Sequence, residues 1–179
     1  MTDFRVVGSE TLLDAGFLSI SRLHVAASDG EEFDRHVVHH PGAVVVVPVI
    51  GDEALLVRQW RVATGRDLLE VPAGKRDVEG EPPETTANRE LEEEVGYVAG
   101  RLDKLAEFYN SPGFCDEYTH LFLATDLEER TRAAVSHEEA AMTIERVPLD
   151  RVDGLIASGE LVDAKSIIGL LLARQHLAR

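Results

Sequence analysis

The chain is poor in the residues that cross-link, anchor or carry positive charge. It has one cysteine, Cys115, among 179 residues. A single thiol excludes an intramolecular disulfide and any zinc site built on cysteine. Basic side chains number 18 against 33 acidic ones, which leaves a net charge of −15 with histidine neutral. Such a surface repels a phosphate backbone or an anionic bilayer, so neither nucleic acid nor membrane is expected as a partner. Long hydrophobic runs are also missing. The longest purely apolar stretch, Ala43–Val47, is extended only by Pro48, Val49 and Ile50, far short of a membrane span. The first residues, Met-Thr-Asp-Phe-Arg, do not pair a basic region with an apolar one. No secretory signal is therefore expected, and a cytoplasmic location is.

What is present suits a globular chain. Apolar residues make up 44 %, enough for a sizeable core in one compact domain with a small N-terminal addition. Residues 1–40 read as short strands, with candidates at Phe17–His24 and Phe33–His40 around a turn at Asp29-Gly30. Ala43–Ile50 reads as a buried strand, Ala54–Trp60 as its partner and Asp67–Val71 as another, broken by Pro72-Ala73-Gly74. A helix is expected from Pro82 or Pro83 to Val95, with proline in the first turn and Gly96 just past the end. Strands follow at Leu105–Tyr109, Tyr118–Ala124 and Ile144–Val147. Two helices close the chain, the last over Ala164–Ala178 with Asp163 as N-cap. Strands with helices between and after them point to α/β layers.

The chemistry concentrates on the first helix. Glu90 and Glu94 stand one turn apart on one face, and Glu93 lies at its edge. Ala87, Leu91 and Val95 form a neighbouring apolar stripe that can pack on a sheet. Like charges at this spacing cost a helix a few tenths of a kcal/mol per pair. Arg89, four residues before Glu93, can offset part of that, whereas Glu90 and Glu94 have no such partner nearby in sequence. Either water absorbs the remaining repulsion, as on any solvated acidic face, or a cation sits there. Ligands that are all oxygen suit Mg²⁺ or Mn²⁺.

The frame around these carboxylates narrows the choice. From Glu81 the sequence runs through seven residues to Arg89-Glu90, apolar Leu91, Glu92, Glu93-Glu94, Val95, Gly96 and Tyr97. This resembles the signature box of Nudix hydrolases, which cleave nucleoside diphosphates linked to another moiety. The match from Glu81 to Tyr97 is complete. Upstream, six residues rather than the usual five separate Gly74 from Glu81. Leu69-Glu70-Val71-Pro72-Ala73-Gly74, Arg58-Gln59-Trp60-Arg61, Ser111-Pro112-Gly113-Phe114, and Pro112 standing sixteen residues after Gly96 are similar to the ADP-ribose pyrophosphatase branch.

The resemblance implies an α/β/α sandwich around a mixed sheet with N-terminal antiparallel strands. Residues 1–40 would then serve a homodimer and its substrate site, and residues 41–179 would form the hydrolase domain. It implies Mg²⁺, with Mn²⁺ as a possible substitute, on Glu90 and Glu94, supported by Glu93 and the carbonyl of Ala73. It implies a base in the acidic segment Ser136–Ala141, read as a loop, with Glu139 the first choice and Glu138 the second. Arg58, Arg61, Glu70 and Pro112 become substrate-site residues: an arginine can grip a phosphate with two N–H groups, and Glu70 can accept from a ribose hydroxyl. The activity implied is hydrolysis of ADP-ribose to AMP and ribose 5-phosphate. The alternatives are another nucleoside diphosphate sugar or a dinucleotide as substrate, or an ADP-ribose sensor that does not cut.

Other constellations point less clearly. Phe17 and Trp60 are candidates to stack on adenine, although single aromatics are more often core. His36 and His40 share a strand face that His39 opposes, and no further ligand spacing joins them. Cys115 has no basic neighbour in sequence to activate it. Ser111 and His120 build no recognisable triad, and Lys75-Arg76 is too small for a nucleic-acid patch.

Overall fold

The computed structural model describes residues 3–132 and 136–179; the side chain of Glu138 lies outside this description. Contacts divide the chain into two units. One is the chain up to Gly42 together with Phe108–Thr119; the other is Ala43–Glu107 with His120–Arg179.

In the first unit β1 (Arg5–Asp14), β2 (Ser19–Ala26) and β3 (Glu32–His39) form an antiparallel sheet in that order. The segment containing Pro112 is fastened to β3. The Val38 N–H donates to the Phe114 carbonyl at 2.8 Å, and the Asp116 N–H donates back to Val38 at 3.1 Å. Asp116 also meets His39 Nδ1 at 2.6 Å and accepts from the His40 N–H at 2.8 Å. Burial opposes the charge of Asp116, but these hydrogen bonds outweigh it and hold the carboxyl below its usual range.

The second unit is built on a sheet in the order β10-β5-β4-β9-β8, with β6 added to β5 and β7 to β4. Its strands are β4 (Ala43–Ile50), β5 (Glu53–Arg61), β6 (Arg66–Glu70), β7 (Ala73–Lys75), β8 (Tyr97–Tyr109), β9 (Tyr118–Glu129) and β10 (Thr143–Pro148). Its helices are α1 (Pro83–Val95), α2 (His137–Ala141), α3 (Val152–Ser158) and α4 (Ala164–Leu177). The valine run of β4 is buried because both faces are covered. Side chains alternate along a strand. Val44 and Val46 therefore join Ala87, Leu91 and Val95 of α1 in one core cluster. On the other face Val47 meets α4 at Gly169, where an added Cβ would lie 2.9 Å from Val47 Cγ2 and 3.2 Å from Leu121 Cδ1. Helices on both faces of the sheet make this unit an α/β/α arrangement.

Three elements differ from the sequence expectation. The break expected at Pro72-Ala73-Gly74 is a three-residue strand, β7, pairing Val44 with Gly74. Strand β8 begins directly at Tyr97, not at Leu105. Its inward residues slip phase between Ala99 and Leu102, at Gly100, where a Cβ would stand 2.8 Å from the Asp126 carbonyl oxygen. That slip hides the alternation. The acidic segment expected as a loop contains α2. Ser136 accepts from the Glu139 N–H at 3.1 Å and donates to the Glu139 carboxylate at 2.8 Å, a side-chain-closed first turn.

Candidate active site

Helix α1 is set in place at both ends. It starts at proline, whose missing N–H is not needed there. Thr86 in its first turn donates to Glu81 Oε2 at 2.6 Å. It ends at Gly96, φ 75°, whose N–H donates to the Glu92 carbonyl at 3.0 Å. The apolar stripe Ala87, Leu91, Val95 is buried on the sheet, so the acidic face is turned toward the β6–β7 turn.

Glu94 is drawn into this contact and is only 4 % exposed. Its Oε2 accepts from the Ala73 N–H at 3.2 Å. Burial, with the nearby charge of Glu90, pushes its carboxyl up to about 8, against that N–H and the fields of Arg61 and Lys165. Glu90 packs where Gly74 leaves room. A Cβ on Gly74 would lie 1.9 Å from Glu90 Cδ and 2.1 and 2.2 Å from its oxygens. Burial pushes Glu90 up to about 7; Arg89 pulls it down, and Glu93 and Glu139 add to the rise.

Arg89 braces the acidic face more widely than sequence spacing suggests. Its Nη1 lies 2.7 Å from Glu90 and 3.3 Å from Glu93, and its Nη2 lies 3.6 Å from Glu81. The expected partner, Glu93, is met, but the adjacent Glu90 is nearer, because a long guanidinium can fold back along the helix. Burial disfavours the Arg89 cation, and these three carboxylates more than compensate.

A second charged group sits at the end of β6. Glu70, only 1 % exposed, accepts from Arg61 Nε and Nη2 through its two oxygens, both at 2.7 Å, and also from Lys165. Burial would raise its carboxyl, but the Arg61 hydrogen bonds and the Lys165 charge hold it below the usual range. Both oxygens expected to meet a ribose hydroxyl are thus already engaged. Arg61 is raised by its hydrogen bond to Glu70 against burial, and it also feels Glu94.

Arg58 lies apart from this group. It is three residues from Arg61 on the same strand, hence on the other face, and it is held by Glu145 at 2.5 and 3.2 Å and by Glu160 at 3.3 Å. Pro112 belongs to the first unit. Glu139 lies on α2, close enough for its charge to act on Glu90. Arg132 donates to the Glu139 carbonyl and, at 3.3 Å, to that of Met142. Trp60 and Phe17 are more than half exposed, so neither is a core aromatic.

Sequence reasoning missed Lys165, Ser166 and Arg132. Only the N-cap signal of Asp163 marked the first two, and the Ser-x-x-Glu pattern at Ser136–Glu139 was available for α2.

Among the described residues no three His, Cys, Asp or Glu side chains gather closely enough to hold an ion by side chains alone. The donor chemistry nevertheless fits a hard divalent cation. The buried Glu94 and the half-buried Glu90, the latter seated in the space a Cβ on Gly74 would fill, bring their carboxyls together beside the β6–β7 turn. The arrangement offers carboxylate oxygens for such a cation, with Arg61 and Arg89 already paired to carboxylates around it.

A family model described as NUDIX domain matches residues 39–167. The chain is 40 % identical over 170 residues to an ADP-ribose pyrophosphatase of Mycobacterium tuberculosis, covering 94 % of this chain and 82 % of that protein. It is 37 % identical over 163 residues to an ADP-ribose pyrophosphatase of Bacillus subtilis, covering 90 % and 88 %. A crystal structure titled as an ADP compounds hydrolase superposes with a TM-score of 0.86 at 24 % identity, covering 98 % of this chain and 94 % of that one.

Proposed function

Because the chain belongs to the Nudix family, we propose that it is a hydrolase that splits the diphosphate bond of ADP-ribose with water, releasing AMP and ribose 5-phosphate. The observation that carries this reading is the seating of Glu90 against Gly74 beside Glu94 on the Ala73 N–H. It places two carboxylates at one backbone turn in a chain whose net charge would otherwise repel a diphosphate.

Glu90 and Glu94, with Glu93 and the Ala73 carbonyl in support, would hold Mg²⁺, or Mn²⁺ in its place. Bound there, the ion would withdraw charge from the phosphate oxygens and acidify a water. The chain's own residues do the rest. Arg89 keeps Glu90 and Glu93 from spreading apart. Arg61, gripped by Glu70, presents its remaining N–H groups to a phosphate. Glu139 takes the proton of the attacking water, with Glu138 the second candidate on the same helix. Arg58 is kept as a substrate contact only if a ligand displaces Glu145 or Glu160. Exposed Trp60 and Phe17 offer faces for a base to stack on. No helix among the described residues is long and apolar enough to cross a membrane, and we place the protein in the cytoplasm.

Residues 1–40 serve as the homodimer surface and contribute to the substrate site. This is supported by β1, an outer strand of its sheet on which Val6, Val7, Leu12 and Leu13 are all exposed. Light scattering that reports a monomer at micromolar concentration would refute the dimer.

The activity is tested by incubating purified protein with ADP-ribose and Mg²⁺ in water enriched in heavy oxygen and identifying products by mass spectrometry. AMP and ribose 5-phosphate, one carrying the heavy oxygen, are expected. Intact ADP-ribose beside an active control enzyme refutes the substrate; binding without products makes the chain a sensor.

A further inference from the structure

The first turn of α4 is tied to the end of β6 by more bonds than helix capping requires. Asp163 caps the helix in the ordinary way, accepting from the Ser166 N–H at 3.0 Å and from Ser166 Oγ at 2.5 Å. The buried Ser166 hydroxyl then accepts from the Val71 N–H at 2.9 Å. Between them Lys165 reaches Glu70 and lies 2.9 Å from Asp163. Val71 is two residues before Ala73, whose N–H holds Glu94. One short turn of helix thus governs both the strand that presents Glu70 and the backbone that receives the metal-side carboxylate.

The charges give this contact a meaning beyond packing. Glu70 is buried and faces Arg61 through both of its oxygens. With Arg61 alone, the pair would be neutral, and an approaching diphosphate would meet a cancelled cation within a strongly acidic chain. Lys165 adds a second positive charge to the same carboxylate, so the group of three carries one net positive charge. The Asp163 carboxylate, 2.9 Å from Lys165 and near enough for its charge to act on Arg61, takes one charge back, so the four groups sum to zero; without Lys165 they would carry one net negative charge.

We propose that Lys165 is a positioning residue for substrate binding: by sharing Glu70 with Arg61 and pairing with Asp163, it keeps the two carboxylates from outweighing the Arg61 guanidinium that meets the diphosphate. The inference rests on the diphosphate hydrolase reading given above and adds a residue that does not itself touch the reacting atoms.

Charge counting yields a ranked test. Wild type, K165M, K165R, E70Q and the double variant E70Q/K165M are compared in steady-state hydrolysis of ADP-ribose with Mg²⁺, in binding of inorganic diphosphate by calorimetry in EDTA, and in thermal melts. Removing one of two cations that share a carboxylate should raise KM and weaken diphosphate binding by about tenfold, with a smaller change in kcat and a melting temperature within a few degrees. K165R should bind close to wild type. E70Q/K165M should bind better than K165M, because Arg61 is no longer cancelled; a purely structural lysine predicts no such rescue. If K165M does not fold, E70Q against E70Q/K165M carries the same test, the double variant binding more weakly by one charge. Wild-type diphosphate affinity in K165M, or no recovery in the double variant, overturns the inference. If wild type binds diphosphate but leaves ADP-ribose intact, the substrate reading fails and the Lys165 ranking is still decided on diphosphate. If wild type binds neither, both fall.

Discussion

Replacing Gly74 by alanine places a methyl carbon inside the volume now filled by the Glu90 carboxyl. The new atom would lie 1.9 Å from Cδ and 2.1 and 2.2 Å from the two oxygens. Ordinary contact between such atoms needs about 3.5 Å, so the carboxyl must retreat by about 1.5 Å. The retreat is local, because the displaced atoms are the end of a rotatable side chain and not backbone. Gly74 is outside the positive-φ positions, so alanine adopts its backbone without strain. Pairing of Val44 with Gly74 should survive. Stability should therefore drop by about 1 kcal/mol, or about 2–4 °C for a chain of this size. Catalysis should suffer far more: a misplacement of about 1 Å in a reacting constellation costs on the order of a hundredfold in rate. The assay is AMP release from ADP-ribose at saturating Mg²⁺, beside circular dichroism melts. A folded Gly74→Ala protein with turnover within about threefold of wild type would refute the seating of Glu90 as the core of the site. Global unfolding would equally contradict the claim that only a side-chain tip is displaced.

Glu94→Gln keeps the shape and the Ala73 contact but removes a charge, and turnover should fall by about a hundredfold or more; near-normal rates would exclude Glu94 as a ligand. Glu139→Gln should lower turnover of ADP-ribose, while Glu138→Gln should not; the opposite pattern exchanges their roles. The carboxyl of Glu70 is held below its usual value, so its ionised form contributes stability above the unfolded-state value, and this is lost as pH falls through the folded one. The melting-temperature advantage of wild type over Glu70→Gln should therefore shrink between about pH 5 and pH 3, and an advantage that grows on acidification would contradict the buried ion pair.

Much of the fold was legible because periodicity and punctuation are local. The valine run marked β4 to the residue, proline and glycine marked both ends of α1, and the stripe Ala87, Leu91, Val95 lies on the sheet as its spacing predicts. The failures share a cause. Strand β7 is three residues long and exists because β4 lies alongside it; no window of sequence that short carries a period. The start of β8 was hidden by a phase slip whose reason, the approach of Asp126 to Gly100, lies 26 residues away in sequence but adjacent in space. Helix α2 carried a capping signal that its acidic composition masked.

The same division runs through the site. Which side chains share one face of α1 follows from 3.6 residues per turn, so Glu90, Glu93 and Glu94 could be grouped from spacing alone. Sequence also determined that the chain has no disulfide, since one cysteine cannot make one within a chain. Tertiary structure alone decided that Gly74 must lack a side chain, that Glu70 spends its oxygens on Arg61 and Lys165, and that Arg58 turns away toward Glu145. Those outcomes depend on which strand faces which helix. A carboxylate's partner in a fold is whatever burial places beside it, and ninety-five residues separate Glu70 from Lys165.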